Sequence, residues 1–291
     1  MHSNEWVLVI FTLMSQLAVG LFVMQELFLA YRHMEDPEMR RVKKNVLYTG
    51  LVLVIIALII SFFHLGKPSN ATNALSNLQS SWLSREILFL SIFTFCLIIY
   101  TFIFSRSTIN TLLLKLFGIF ALLSGIMFLF SMAKIYMLEN APVWNTAYTP
   151  IEFFTCSLLL GSLLLMSLIQ NRLMHFDAEE LSFFARRMSS LFLIITLLLV
   201  IDMGAAIYHH FIDFTPDSPG RPDSSYLPSI VKFIFLIISL IAIVFQFYNF
   251  NLKKQFTSAT GISFVFVFVL IAEVIGRYMF YASYLMAGVK Y

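Results

Sequence analysis

The polar positions of this chain fall in clumps, separated by eight intervals that are almost wholly apolar. A helix needs about 20 mostly apolar residues to cross a bilayer. The eight intervals meet that length within a few residues: Trp6–Tyr31, Val46–His64, Glu86–Ser105, Leu112–Met137, Ile151–Gln170, Leu191–His210, Ser229–Phe250 and Ile262–Tyr284. Backbone N–H and C=O groups in lipid must be satisfied within the segment itself, so each interval is predicted to be a helix. The expected fold is an all-α integral membrane protein, a bundle of eight transmembrane helices forming one domain over residues 1–291. The first five residues carry no Lys or Arg, and the first interval is longer than the h-region of a signal peptide, about 7–15 residues. It is therefore read as a retained span.

Composition agrees with this class. Hydrophobic residues make up 59% of the chain and charged residues 12%, with 32 Phe and 14 Met. Soluble domains carry about 25% charged residues. A net charge of +3 gives no reason to expect a nucleic-acid partner. Cys96 and Cys156 both fall inside apolar intervals and read as small buried hydrophobes. An iron–sulfur cluster needs about four thiolates, so this chain is not expected to hold one.

The basic residues give an orientation. Arg32, Arg40, Arg41, Lys43, Lys44, Arg106, Lys115, Arg172, Arg186, Arg187, Lys253 and Lys254 lie on or beside the odd-numbered connections. The even-numbered connections and the C-terminus hold only Lys67, Arg85, Lys134, Arg221 and Lys290. Cytoplasmic loops carry the excess of Lys and Arg. Both termini and the even connections are thus expected on the outer side, periplasmic in a Gram-negative bacterium. Two further outer loops, Glu139–Pro150 with Trp144 and Phe211–Pro228 with Pro216, Pro219, Pro222 and three aspartates, offer a docking surface.

Ionisable groups inside a bilayer are expensive and mark candidate sites. His64 closes the second interval and Glu86 opens the third, so a loop that leaves and re-enters on one side puts them at one depth. Gly66 and Pro68 fix a sharp exit after His64. An imidazole and a carboxylate at one membrane edge suit redox-linked proton chemistry. Lys67, Trp82 and Arg85 are the nearest candidates to support a bound head group; a basic Arg85 beside Glu86 would favour the ionised carboxylate. Asp202 lies mid-span and needs a partner or a proton, with His209 two turns on. Lys232 is expected to snorkel to the outer interface. Glu273 and Arg277, four apart, are expected to pair with each other, and Arg277 is a further support candidate.

Two histidines inside facing spans would suit haem b, but only His64, His209 and His210 approach spans here, all at one edge. No metal site is predicted. The halves of the chain share no evident motif repeat, which weighs against a secondary transporter. A transporter with a midplane site of Asp202, Glu273 and Arg277 remains the alternative from a different class.

The order and spacing of several short motifs resemble one family. They are Glu5-Trp6, Phe11-Thr-Leu13 and Gln16-Leu-Ala18 at the start, and His64-Leu-Gly-Lys-Pro68 with Ser84-Arg-Glu86-Ile87. Pro142-Val-Trp144, Thr149-Pro150, Gly276-Arg277 and Phe280-Tyr281 follow. Together, over nearly the whole sequence, they resemble the membrane-anchor subunit of dimethyl sulfoxide reductase, the DmsC family. The resemblance implies a haem-free subunit of the bacterial inner membrane, acting in anaerobic respiration. It implies oxidation of menaquinol at the periplasmic side, with electrons passed to an iron–sulfur subunit and a molybdopterin catalytic subunit docked on that face. It ties His64 and Glu86 to quinol binding and oxidation. The terminal acceptor would be reduced by the catalytic subunit and not by this chain. The polysulfide-reductase type of eight-helix anchor is the nearest alternative reading.

Overall fold

The structure, a computed structural model, describes residues 3–29, 37–64, 77–106, 108–139, 141, 144–173, 178–208, 227–253 and 260–286. Among the described residues, eight helices follow in order: α1 Ser3–Phe28, α2 Pro37–His64, α3 Trp82–Ser105, α4 Thr111–Tyr136, α5 Tyr148–Leu173, α6 Ala178–Tyr208, α7 Leu227–Lys253 and α8 Gly261–Met286. All eight are long and apolar enough to cross a membrane. The all-helical fold expected from the pattern is the fold observed.

The ends differ from the expectation in an instructive way. Helix α2 begins at Pro37 and not Val46, and α6 at Ala178 and not Leu191. The added turns are polar, so an apolar count stops short of them, yet nothing in them opposes a helix. Pro37 stands at the first helical position, where its missing N–H has no intrahelical partner to lose. Glu38 follows in the first turn and pairs with Arg41 at 2.9 Å. Helix α3 begins at Trp82 because Ser81, in an extended conformation, caps it: its hydroxyl oxygen accepts the Ser84 N–H at 3.3 Å.

The packing repeats. Helices α1 to α4 close a ring, each against its neighbour and α4 back against α1. Helices α5 to α8 do the same, with α8 returning to α5. The halves thus share a packing plan that no shared motif announces. Helix α1 also packs on α5 and α8, and α5 on α2 and α4. These two are accordingly the most enclosed spans, 72% and 67% buried over their apolar windows against 22% for α7.

Small residues let α1 and α5 meet. A Cβ on Gly20 would lie 1.8 Å from the Ser157 carbonyl oxygen, and one on Gly161 would lie 2.2 Å from the Gly20 carbonyl carbon. The Ser157 hydroxyl donates to the Gln16 carbonyl at 2.7 Å. Lipid removes most of the hydrophobic drive between helices, so close backbone contact and hydrogen bonds hold such a seam.

Polar and aromatic contacts sort the helix ends into two sets. At one end, Lys43 on α2 meets Glu26 on α1 at 2.9 Å, and the Tyr100 hydroxyl on α3 donates to the same carboxylate at 2.7 Å. Arg187 on α6 donates to the Phe28 carbonyl at 2.9 Å, and Arg40 to the Arg106 carbonyl. Lys43, read from sequence as a loop cation, is buried and also faces the Tyr100 and Phe104 rings. At the opposite end, Trp6 at the start of α1 stacks on Tyr278 near the end of α8, with centroids 5.0 Å apart. The candidate residues belong to this second end.

Candidate functional site: two polar groups joined by a tyrosine pair

Glu86 lies one turn into α3, below the Ser81 cap, and is 5% exposed. Among the described residues nothing donates a hydrogen bond or offers an ion pair to its carboxyl group. Arg85, its neighbour in sequence, does not do so. Adjacent helix positions point apart. Arg85 reaches back instead, donating to the carbonyls of Leu78 at 2.9 Å and Gln79 at 2.6 Å, and its guanidinium lies 4.1 Å over the Trp82 ring. The expected electrostatic help from Arg85 is therefore absent, because the side chain is committed to the loop. Trp82 completes this rim by meeting Phe130 edge-on at 5.7 Å.

The carboxyl of Glu86 interacts electrostatically with two tyrosines, Tyr136 at the end of α4 and Tyr281 on α8. The Tyr136 hydroxyl donates to that of Tyr281 at 3.3 Å. Tyr281 also interacts with Thr12 on α1, whose hydroxyl donates to the Leu8 carbonyl at 2.9 Å. An aromatic box holds Tyr136: Trp144 at 5.2 Å, Phe280 at 5.3 Å and Phe153 at 5.7 Å. Trp144, expected on an exposed docking face, is buried, its indole N–H donating to the Phe280 carbonyl at 2.8 Å and its ring stacked on Phe280. Its carbonyl accepts the Thr149 hydroxyl at 2.7 Å, which ties the connection between α4 and α5 to the helix ends.

Beyond the tyrosines lies a second polar group, made of Glu152 on α5, Asp202 on α6, Lys232 on α7, and Glu273 and Arg277 on α8. All five are buried. Lys232 does not snorkel outward. Its ammonium stands 3.7 Å from Asp202 and 4.0 Å from Glu273. Gly276 makes room for it, since a Cβ there would lie 2.8 Å from the Lys232 nitrogen. Glu273 thus pairs with Lys232 and not with Arg277. The Arg277 guanidinium lies 3.8 Å over the Phe153 ring and donates to the Gln16 side-chain oxygen at 3.3 Å. Its electrostatic partners include Glu152 and Tyr281 as well as Glu273. The spacing of four allowed the expected pair, but Phe153 and Gln16, from other helices, draw Arg277 away.

Of the residues singled out from sequence, Glu86, Trp82 and Arg85 come together at the start of α3. Asp202 and Arg277 belong to the second group. His64 closes α2 at the same end of the bundle, but its side chain, like Lys67 and His209, lies outside the described residues. Glu152, Tyr136 and Tyr281 were missed as site residues. Glu152 carries the same signal as Glu86, a lone carboxylate one turn into an apolar span. The tyrosines carry none, because a phenol at a membrane edge is an ordinary interfacial residue.

These features define an integral membrane subunit of eight helices, with ionisable groups gathered at one end of the bundle. The model of the DMSO reductase anchor subunit (DmsC) family matches residues 1–283. The chain belongs to that family. It is 30% identical over 286 residues to the C subunit of anaerobic dimethyl sulfoxide reductase from Haemophilus influenzae, a match covering 98% of this chain and 96% of the relative. The corresponding C subunit of Escherichia coli K12 is 27% identical, and the YnfH subunit of the same organism 25% identical, each with the same coverage. An anchor subunit of this kind implies catalytic and electron-transfer partners.

Proposed function

We propose that this subunit binds menaquinol between the ends of α2 and α3, at the periplasmic face of the bacterial inner membrane, and oxidises it there. Its electrons pass to an iron–sulfur subunit and on to a molybdopterin subunit, which reduces a dimethyl sulfoxide-type acceptor in anaerobic respiration. The observation that carries the reading is Glu86: a buried carboxyl group in the first turns of α3, without a hydrogen-bond partner among the described residues, that interacts electrostatically with two phenols. Buried polar groups normally have a hydrogen-bond partner, so a carboxyl that finds none among the described residues is open to one supplied from elsewhere.

Oxidation of a quinol releases two protons and two electrons. In this proposal the His64 imidazole accepts a hydrogen bond from one quinol hydroxyl and receives its proton as oxidation proceeds, and the Glu86 carboxylate takes the proton of the other. Trp82 covers the ring, and Arg85 holds the 78–79 loop in place over the site. Lys67, Asp202 and Arg277 act at longer range on the charge of the site. The bias of basic residues toward the odd connections supports an outward-facing site, so protons leave to the periplasm. The electrons leave through the partner, since two separated cysteines cannot ligate a cluster that needs about four thiolates.

The test is quinol-driven turnover by membranes carrying the whole complex, wild type against Glu86→Gln, at matched amounts of assembled enzyme. Loss of quinol-driven turnover, with dye-driven reduction of the acceptor retained, places Glu86 in the quinol site. Survival of both activities moves the site elsewhere.

A further inference from the structure

The second polar group does not balance its charge. Glu152, Asp202 and Glu273 supply three carboxyl groups, and Lys232 and Arg277 two cations, all at or below 4% exposure. Arg277 interacts electrostatically with Glu152, without a hydrogen bond between them. That leaves one ammonium, Lys232, between two carboxyl groups at 3.7 and 4.0 Å. The oxygens of all three carboxyl groups are buried without a hydrogen-bond partner. Among the described residues, the other titratable groups that interact with the set are Tyr148 and Cys156 on α5, Tyr281 on α8 and, through Tyr281, Tyr136 on α4 and Glu86 on α3. None of these adds a positive charge. With every member ionised, one negative charge would stand unbalanced inside the membrane, where such charges are strongly disfavoured.

We propose that Asp202, Glu273 and Lys232 form a proton-binding site, in which Asp202 and Glu273 share one proton about the Lys232 ammonium. The step is protonation of a carboxylate and needs no oxidant or co-reactant. Binding one proton leaves two carboxylates against two cations, a neutral set. The site lies in the second four-helix unit, apart from Glu86, and Tyr281 and Arg277 stand between the two. Its part in turnover, holding one of the protons released by quinol, rests on the proposed quinol chemistry at Glu86. Its proton occupancy does not.

The experiment is infrared spectroscopy of the complete complex in lipid nanodiscs at neutral pH, reading the carbonyl band of protonated carboxyl groups. The expected result is a band that persists in Glu86→Gln and is lost in both Asp202→Asn and Glu273→Gln, since either amide removes the excess charge. Lys232→Met should raise its intensity about twofold, because three carboxyl groups would then face one cation. A wild-type complex without the band, or a band unmoved by Asp202→Asn and Glu273→Gln, overturns the proposal. If those variants fail to assemble, Lys232→Met in the Glu86→Gln complex decides: a stronger band supports the site, and an unchanged band refutes it. Use of Glu86→Gln as the background keeps this outcome separate from the quinol reading, which is judged by turnover.

Discussion

Tyr136 at the end of α4 donates a hydrogen bond to Tyr281 on α8 at 3.3 Å, and the bond crosses from the first four-helix unit to the second. On one side both phenols feel Glu86; on the other both feel Arg277. Thr12 on α1 also interacts with Tyr281, and its own hydroxyl donates to the Leu8 carbonyl at 2.9 Å. A polar line therefore runs through an otherwise aromatic wall. Phenols can accept and donate at once, which a Phe box alone cannot do.

Removal of one hydroxyl should show what that line does. Tyr281→Phe keeps the ring contacts and deletes the hydrogen bond. Stability should fall by about 1 kcal/mol, the net worth of such a bond. Quinol-driven turnover of the complex should fall by about threefold to tenfold, with dye-driven turnover unchanged, where tenfold corresponds to about 1.4 kcal/mol in a barrier. Tyr136→Phe should behave alike. Unchanged quinol-driven rates in both variants would reduce the pair to a structural contact.

The seam between α1 and α5 makes a sharper structural prediction. Gly20→Ala places a methyl group against the Ser157 backbone, which has no flexible atom to move aside. The helices must separate, so folded protein should be lost, as read by size-exclusion in mild detergent. Gly204→Ala is the control: nothing lies within 4 Å of its Cβ position, on an exposed part of α6. There the change should be neutral or stabilising by up to about 1 kcal/mol, through lower backbone freedom in the unfolded chain. Equal behaviour of the two alanines would show that the seam is not close-packed.

How much of this was legible beforehand follows from the kind of signal each feature leaves. An apolar run of span length is a one-dimensional signal, so all eight helices could be read. Polar helical turns leave no such run, which is why residues 37–45 of α2 and the first turns of α6 were not. Glu86 was legible as a carboxylate opening a span, and Glu152 could have been found by the same rule. The partners of Lys232 were not, because Asp202 and Glu273 come from helices that only the fold brings together. Trp144 misled for a related reason: a Trp in a loop reads as exposed until its indole N–H is seen to meet the Phe280 carbonyl. The repeat of two closed four-helix rings lives in contacts between helices, and neither half needs the other's motifs to make them.

At the far end of the bundle, Lys43 is held by Glu26 and by the Tyr100 and Phe104 rings, with its nitrogen 3.4 Å from the Leu29 carbonyl. Lys43→Met leaves Glu26 and the Tyr100 hydroxyl without their cation. Breaking a buried pair from one side is costly, and Glu26, at 22% exposure, moderates the loss to about 2–3 kcal/mol. Glu26→Gln in the same protein should recover part of that loss, since a neutral amide can still accept the Tyr100 hydroxyl. Thermal unfolding of the single and double variants measures both effects. A double variant less stable than Lys43→Met alone would contradict the pairing.

Gly276 gives the last test, because it ties a family motif to the charge set. Its missing side chain is the space that the Lys232 ammonium occupies, with a Cβ there only 2.8 Å from the nitrogen. The conflict in Gly276→Ala is with the end of a flexible side chain, so the helices need not move and the fold should survive. What should change is the position of the ammonium between Asp202 and Glu273. The expected cost is about 1–3 kcal/mol, the usual penalty of added volume in a packed site. Lys232→Ala removes the atoms that the new methyl meets, so Gly276→Ala should cost less in that background. The two substitutions should couple by about 0.5–3 kcal/mol in a double-mutant cycle read by thermal unfolding. A coupling of zero would mean that the ammonium does not lie over Gly276, and the proton site built around it would lose its cation.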